Sequence, residues 1–320
     1  MPARAMTLRE GLRNPCLGAL PAELASHELV RAAWDGIAAD KLWDAHAHLL
    51  GTGDSGSGCT ENARMHERWH PGDVVRRRAI LNAACVGSDA VSVDGAYLQR
   101  LRSLADDFPI GARWLLYAFD HAHDDAGQRR TDWTTFHVPN ACGEEKAVPG
   151  AGRDDLGNPL LVRHALSAGV RVIVAHAASL GHARDIDQPS QAMRPAFDLW
   201  ARLMDEHDWQ TQLFGDISAV FQANRTPQAR RVVIQRDDWH ARLLHGSDYP
   251  LPGVMPLYAP DALAAEGLLD ARDADVLRRI RAHNPLLFDF VLKRSVRIGE
   301  SRLPRRIFET RDFFTQTRHA

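Results

Sequence analysis

The sequence predicts an α/β fold of the (β/α)8-barrel type, and two observations favour it. Short apolar segments that resemble strands alternate with helical patterns, which is typical of a parallel sheet covered by helices. Three of the later strands each end in a polar residue, at His176, Asp216 and Asp248. These positions recur at intervals of roughly 30 to 40 residues, close to the size of one βα unit in such a barrel.

The composition is that of an ordinary globular protein. The chain has 320 residues, of which 45% are apolar and 25% are charged, and its net charge is −2. Such a charge argues against a broad electrostatic footprint for nucleic acid or for an anionic membrane. No apolar run approaches the length of a membrane span, and the first twenty residues lack the apolar core of a signal peptide. We therefore expect a cytoplasmic protein.

The cysteines are widely spaced, at Cys16, Cys59, Cys85 and Cys142. Because no Cys-x-x-Cys pair occurs, we expect neither a disulfide framework nor a structural zinc knuckle. The sequence around Cys59 contains nothing that would make its thiol reactive. The predicted chemistry therefore does not depend on cysteine.

The chain divides into three predicted parts. Residues 1–41 form a helical, amphipathic lead-in that is interrupted near Pro15 and Pro21. Residues 42–294 form the barrel domain, and residues 295–320 form a basic, irregular tail. Within the barrel domain the clearest strand is the β-branched run that ends at His176, and helices are expected after it.

The first candidate site lies on the predicted strand Leu42–Leu49. His46 and His48 are two residues apart, so on a strand both imidazoles point to one face and can bind one transition metal. The Gly-rich stretch 51–58 follows, and we expect it to be a mobile loop beside the site. The alternative is coincidence, because a second His-x-His occurs at 121–123. For that second pair, with the neighbouring aspartates 124 and 125, a solvated loop is the preferred interpretation.

Three motifs in order resemble one family. They are Asp44-Ala45-His46-Ala47-His48, then Val174-Ala175-His176, and finally His245-Gly246-Ser247-Asp248-Tyr249-Pro250. Together they resemble the amidohydrolase superfamily, specifically the amidohydrolase-related metal-dependent hydrolases that include aminocarboxymuconate semialdehyde decarboxylase. The resemblance covers roughly Leu42 to Leu292.

The resemblance implies roles for these residues. His46 and His48 would bind one divalent metal, zinc or, as the alternative, manganese. Asp248 would be a further ligand and would take the proton from an attacking water. His176 would bind a second metal, or hydrogen-bond the attacking water and polarise the substrate. Loop 51–60 would close over the site.

The expected activity is hydrolysis of a small molecule that carries an amide, ester or lactone carbonyl. A non-oxidative decarboxylase on the same site and a shortened, non-catalytic relative are the alternatives. The expected partner is the small-molecule substrate, with neither nucleic acid nor membrane. A homodimer is left open as the oligomeric state.

Each candidate also has a purely structural interpretation. His176 could be a satisfied core histidine, and Asp248 could be a turn residue before Tyr249-Pro250. For Asp216, capping of the next helix is preferred over a ligand role.

The middle of the predicted barrel is too short. Between Asp120 and His176 lie roughly 55 residues, whereas four βα units would need about 120. We therefore expect an incomplete barrel with the region of strands 3 to 5 shortened, which would leave strand edges unpaired. Ala141 stands where the family would place a metal-binding histidine, and His137 is the one histidine placed to replace it. The run 144–146 is interpreted as an exposed charge run or, alternatively, as part of the pocket lining.

Overall fold

The structure is a computed structural model that describes residues 11–87, 89–124, 128–139, 144–146 and 157–315. The α-helices are α1 Ala22–Ala25, α2 Glu28–Trp34, α3 Pro71–Ala83, α4 Val93–Ala105, α5 Arg163–Ser167, α6 Ala196–Asp205, α7 Pro227–Gln235, α8 Pro260–Ala265, α9 Ala271–His283, α10 Pro285–Ser295 and α11 Arg311–Thr315. The strands are β1 Asp44–His48, β2 Thr60–Glu61, β3 Trp114–Phe119, β4 Phe136–His137, β5 Glu144–Lys146, β6 Val172–Val174, β7 His182–Arg184, β8 Met193–Pro195, β9 Leu213–Asp216, β10 Leu243–Leu244, β11 Arg297–Ile298 and β12 Ser301–Arg302.

Two small parallel sheets organise the chain. One has the strand order β1, β3, β5 and the other the order β10, β9, β6, and every pairing in both is parallel. The predicted mixed α/β class with parallel strands is therefore confirmed. None of the helices in the described ranges combines the length and the apolar character that crossing a membrane requires.

The two sheets meet at β1. Beyond β10 the chain continues alongside this strand, and Ala47 forms a parallel bridge with Tyr249. Ala45 N donates to His245 O at 2.8 Å, and Asp248 N donates to His46 O at 2.7 Å. These bonds bring the segment that contains Asp248 against the strand that contains the first two candidate histidines.

Helix α10 is the centre of the core. It begins at Pro285, and the Asn284 side chain caps it by accepting from Leu287 N at 2.9 Å. Every residue from Pro285 to Lys293 is buried. A helix that is enclosed on all sides and still contains Asp289 and Lys293 must pair these charges internally, and they do form an ion pair of 2.6 Å.

Both ends of the chain differ from expectation. In residues 11–41, the described part of the lead-in, the α-helices are α1 and α2, and α1 starts directly after Pro21, which fits the interruption expected there. The segment after Ser295, expected to be irregular, contains the β11–β12 hairpin and α11. Its Ile307 and Phe308 are fully buried, and His245 N donates to Ile307 O at 2.7 Å. This segment therefore packs against the core.

The cysteine prediction was wrong for one pair. Cys16 and Cys85 form a disulfide between the N-terminal segment and the end of α3, whereas Cys59 is free and buried. Sequence spacing gave no sign of this pair, because its partners lie 69 residues apart. Disulfides persist mainly in oxidising compartments, so this pair counts against the cytoplasmic location, which stays a prediction.

In the shortened middle region, the described residues between β3 and β6 contain one strand that belongs to a parallel sheet. The run 144–146 is this strand, β5, which pairs with β3 through Tyr117 and Glu144. Its two interpretations, as an exposed charge run or as part of the pocket lining, stay predictions. The predictions for Ala141, Cys142 and the aspartate at 125 lie outside the described residues.

Gly215 offers a test of the packing behind β9. A Cβ added there would lie 2.5 Å from the ring of Trp200, which is fully buried on α6. We expect Gly215→Ala to lower the free energy of unfolding by about 1–3 kcal/mol, as overpacking does. Urea denaturation measures this change.

Gly72→Ala is the matched control, because a Cβ at this position in α3 meets nothing within 4 Å. We expect the control to be unchanged, or more stable by about 0.5–1 kcal/mol. Equal effects of the two substitutions would contradict the packing argument.

Candidate metal centre

The four residues predicted as ligands lie together. His46 Nε2 is 3.2 Å from His48 Nε2, and His48 Nε2 is 3.0 Å from Asp248 Oδ1. His176 Nε2 is 3.7 Å from Asp248 Oδ2. Ligand atoms of His46, His176 and Asp248 all lie within 4.8 Å of one another. The four side chains that the strand-end argument selected are therefore neighbours in the structure, and their role as ligands stays a prediction.

Each residue reaches the cluster from the end of a parallel strand. His46 and His48 are on β1, and their spacing of two places both rings on one face. His176 follows β6, and Asp248 lies beyond β10. Both have left-handed backbone, with φ of 56° and 58°. This conformation is uncommon for non-glycine residues and concentrates at functional sites.

Gly246 allows the close approach of the two segments. A Cβ at this position would lie 2.6 Å from His46 Cβ. The absence of a side chain lets the segment with Asp248 pack directly on β1. The glycine in the third motif is thereby explained by packing rather than by chemistry.

The outer nitrogen of each imidazole is held by an acceptor. His46 Nδ1 lies 2.9 Å from Asp216 Oδ2, and His176 Nδ1 lies 2.6 Å from Ser218 Oγ. His48 Nδ1 contacts the carbonyl oxygen of Tyr117 at 3.4 Å. With a proton on each Nδ1, all three Nε2 atoms face the cluster in their basic form.

Asp216 does not cap a helix, which corrects the interpretation preferred from sequence. Helix α7 begins only at Pro227, and the Asp216 carboxylate is buried. Its Oδ1 accepts from the backbone N of His176 and of Ser218, both at 3.0 Å, and from the Ser218 hydroxyl. Asp216 therefore holds the outer sides of two of the histidines.

The pKa values of both aspartates follow from this arrangement. Burial by itself would raise the pKa of Asp216, but His46, His176 and the bond from Ser218 hold it well below its usual value. For Asp248 burial again acts to raise the pKa, and His176, His48 and His46 outweigh it. Both groups are therefore carboxylates at neutral pH.

A second polar layer that the sequence did not reveal supports the cluster. Asp44 Oδ1 accepts from His46 N at 3.0 Å and from Ser247 N at 2.8 Å, and burial raises the pKa of Asp44 to about 6. Lys293 Nζ donates to Ser218 O at 3.0 Å and to Gly246 O at 2.6 Å. One ammonium group thereby joins the loops that follow β9 and β10.

Other candidates lie outside the cluster. His137 stacks on His121 with ring centroids 3.8 Å apart, and neither joins the metal-ligand group found in the described residues. Loop 51–60, expected to be mobile, is fastened by the buried Asp94. This carboxylate accepts from Thr52 N at 2.7 Å and from the hydroxyl groups of Ser55 and Ser57, each at 2.7 Å.

Comparison of the chain with protein-family models, with curated proteins and with solved structures gave no match. The chemistry of the site therefore rests on its geometry.

The burial of His245, the first residue of the third motif, predicts that the free energy of unfolding depends on pH. His245 is buried against Phe290 and Phe308, and burial, followed by the charge of Lys293, lowers its pKa well below the usual value. A base whose pKa is lowered by folding stabilises the fold above its unfolded pKa of about 6.5, and this stability is lost as the pH falls below that value.

We therefore expect His245→Phe, which keeps the ring packing, to lose less stability than the wild type between pH 7 and pH 5. The difference should be about 1–2 kcal/mol, measured by urea unfolding at both pH values. Equal losses in the two proteins would show that His245 already carries a proton in the folded chain.

Proposed function

We propose that the chain is a metal-dependent hydrolase of the amidohydrolase-related type, acting on a small molecule with an amide, ester or lactone carbonyl. The convergence of His46, His48 and His176 on the carboxylate of Asp248 carries this proposal. Three imidazoles and one carboxylate, supplied by the ends of parallel strands, are a donor set that zinc takes.

The strand order supports an incomplete (β/α)8-derived barrel as the scaffold. Across the bridge between Ala47 and Tyr249, the parallel strands run in the order β5, β3, β1, β10, β9, β6. This is the order of strands 3, 2, 1, 8, 7 and 6 in a complete barrel. The chain between β5 and β6 is too short for two further βα units of about 30 residues each.

The surroundings of the imidazoles fit a metal ion. Histidines that bind metals usually donate their second ring N–H to a carboxylate, a carbonyl or another acceptor, which fixes the tautomer. Asp216, Tyr117 O and Ser218 are such acceptors for His46, His48 and His176 respectively. The short distance between two imidazole Nε2 atoms is what a shared cation would stabilise.

The chain's own groups would handle the proton. A divalent cation, zinc or manganese, would polarise a carbonyl oxygen and lower the pKa of a water molecule. Asp248 Oδ1 faces His48, whereas Oδ2 faces His176. We assign Oδ2 to accept the proton of the attacking water and to return it to the leaving group. His176 would orient the reacting oxygen from the opposite side.

Metal content is the decisive measurement. We expect the purified chain, loaded with zinc and dialysed, to hold about one equivalent by elemental analysis, as a single donor set of this kind does. His46→Ala and Asp248→Asn should each lose it, because each removes a ligand. His121→Ala, a histidine outside the cluster, is the control and should keep its zinc.

A wild-type chain without bound zinc or manganese would contradict the proposal and would favour a non-catalytic relative. A chain that binds metal and releases carbon dioxide during turnover would be the decarboxylase alternative, since the same centre could stabilise a carbanion-like state.

Asp216 gives a second test, which concerns the tautomer of His46. In Asp216→Asn the amide can donate to His46 Nδ1, which would move the ring proton to Nε2 and so towards the metal position. We expect zinc affinity to fall by about 10- to 100-fold, measured by competition with a chelator.

Asp185→Asn is the matched control for this substitution. Asp185 is also buried, but it pairs with Arg202 at 2.8 Å and has no contact with the cluster histidines. Unchanged zinc affinity in Asp216→Asn would show that Asp216 does not fix the tautomer of His46.

A further inference from the structure

The guanidinium of Arg225 is buried and makes almost no hydrogen bonds to the described residues. It lies in the loop between β9 and α7 and is 8% exposed. Among the residues that the structure describes, one of its five N–H donors makes a hydrogen bond, from Nη2 to Gln222 Oε1 at 3.4 Å. Its Nε is buried without a partner, and the guanidinium forms no ion pair with any carboxylate of the described residues.

Arg230 Nε is buried without a partner, as Arg225 Nε is, but the guanidinium groups of the other buried arginines of the described chain each make at least one hydrogen bond shorter than 3 Å. Arg230 pairs with Glu266 at 2.8 Å, and Arg242 donates to Met204 O at 2.8 Å. Arg281 donates to Pro252 O and to Val254 O, both at 2.7 Å. Burying a charge without a partner is costly, so a cation kept in this state points to a ligand that completes it.

Arg225 lies in the loop that follows Asp216 and Ser218, the two residues that hold the outer nitrogens of His46 and His176. Arg230 holds this loop through Arg225 O at 3.3 Å. Burial lowers the pKa of Arg225, and the charge that most strongly opposes this effect is that of Asp248, with Asp216 also contributing. The guanidinium is therefore within electrostatic reach of the carboxylate assigned to proton transfer.

We propose that Arg225 binds an acidic group of the substrate, a carboxylate or a phosphate, beside the metal centre. This inference rests on the proposed hydrolase function and adds a substrate class to it. The planar guanidinium can donate two parallel hydrogen bonds to such a group. It would thereby orient the reacting carbonyl.

The charge of Arg225 agrees with an anionic substrate. Lys293, the buried ammonium beside the cluster, is paired with Asp289 at 2.6 Å. The guanidinium of Arg225 has no such carboxylate among the described residues, so an anion would stabilise it more than a neutral molecule would.

A matched pair of probes tests the proposal. N-acetylglycine and N-acetylglycinamide share an amide, and the first carries a carboxylate where the second is neutral. Calorimetry measures their binding to the wild type with and without zinc, and inorganic phosphate is titrated alongside. We expect the wild type to prefer N-acetylglycine by at least about 10-fold, as for a hydrogen bond to a charged group.

The variants assign that preference to Arg225. In Arg225→Gln the preference for N-acetylglycine should shrink to about 3-fold or less. Arg225→Lys keeps the charge but not the two parallel N–H donors, so its preference should be intermediate. Arg231→Gln is the control, because Arg231 lies on α7 and donates to Glu266 O outside the cluster. If Arg225→Gln does not fold, phenylglyoxal labelling of Arg225 in the wild type should be slowed by N-acetylglycine and not by the neutral probe.

The outcomes separate this inference from the proposed function. If inorganic phosphate is the one probe whose binding depends on Arg225, the acidic group of the substrate is assigned as a phosphate. No difference between wild type and Arg225→Gln for any probe, together with unprotected labelling, would overturn the inference even if zinc is bound. A chain that binds no zinc but still prefers N-acetylglycine, and loses this preference in Arg225→Gln, would contradict the hydrolase proposal. The inference that Arg225 binds an anion would then still hold.

Discussion

The carboxylate of Asp216 is the constraint on which the rest of the site depends. One of its oxygens meets His46 Nδ1, and the other accepts from the backbone of His176 and from Ser218. Ser218 in turn meets His176 Nδ1. Two histidines from different sheets are thereby oriented by one buried group, which no contact within a single strand could do. The low pKa of Asp216 reflects the same bonds, because they stabilise its charged form.

A buried polar scaffold surrounds this carboxylate and joins the loops that contain the site. Lys293, paired with Asp289 on α10, donates to carbonyl oxygens of both Ser218 and Gly246. Asp44 binds the backbone of His46 and of Ser247. A dry environment makes such hydrogen bonds strong and also makes any unpaired charge costly. Against that background the guanidinium of Arg225 is informative, since its one hydrogen bond to a described residue is 3.4 Å long.

Part of this site could be predicted from local patterns, and the outcome for each residue shows why. His46 and His48 follow from the strand period of two, and His176 and Asp248 follow from their positions at strand ends. Asp216 ends a strand in the same way, yet an aspartate there resembles a helix cap until its partner from β1 is known. The hydrogen bonds that loop 51–60 donates to Asp94 could not be predicted either, because the glycines of the loop indicate only local backbone freedom and Asp94 is distant in sequence.

The sequence by itself predicted the strands that precede or contain the candidate residues, the short middle region and the identity of the candidate ligands. These features depend on local periodicity and on residue type, which are readable along the chain. Only the tertiary structure decided the proton positions favoured on the histidines, the disulfide and the isolation of Arg225. Each of these depends on a distance between atoms brought together by packing, and such distances leave no pattern in the local sequence.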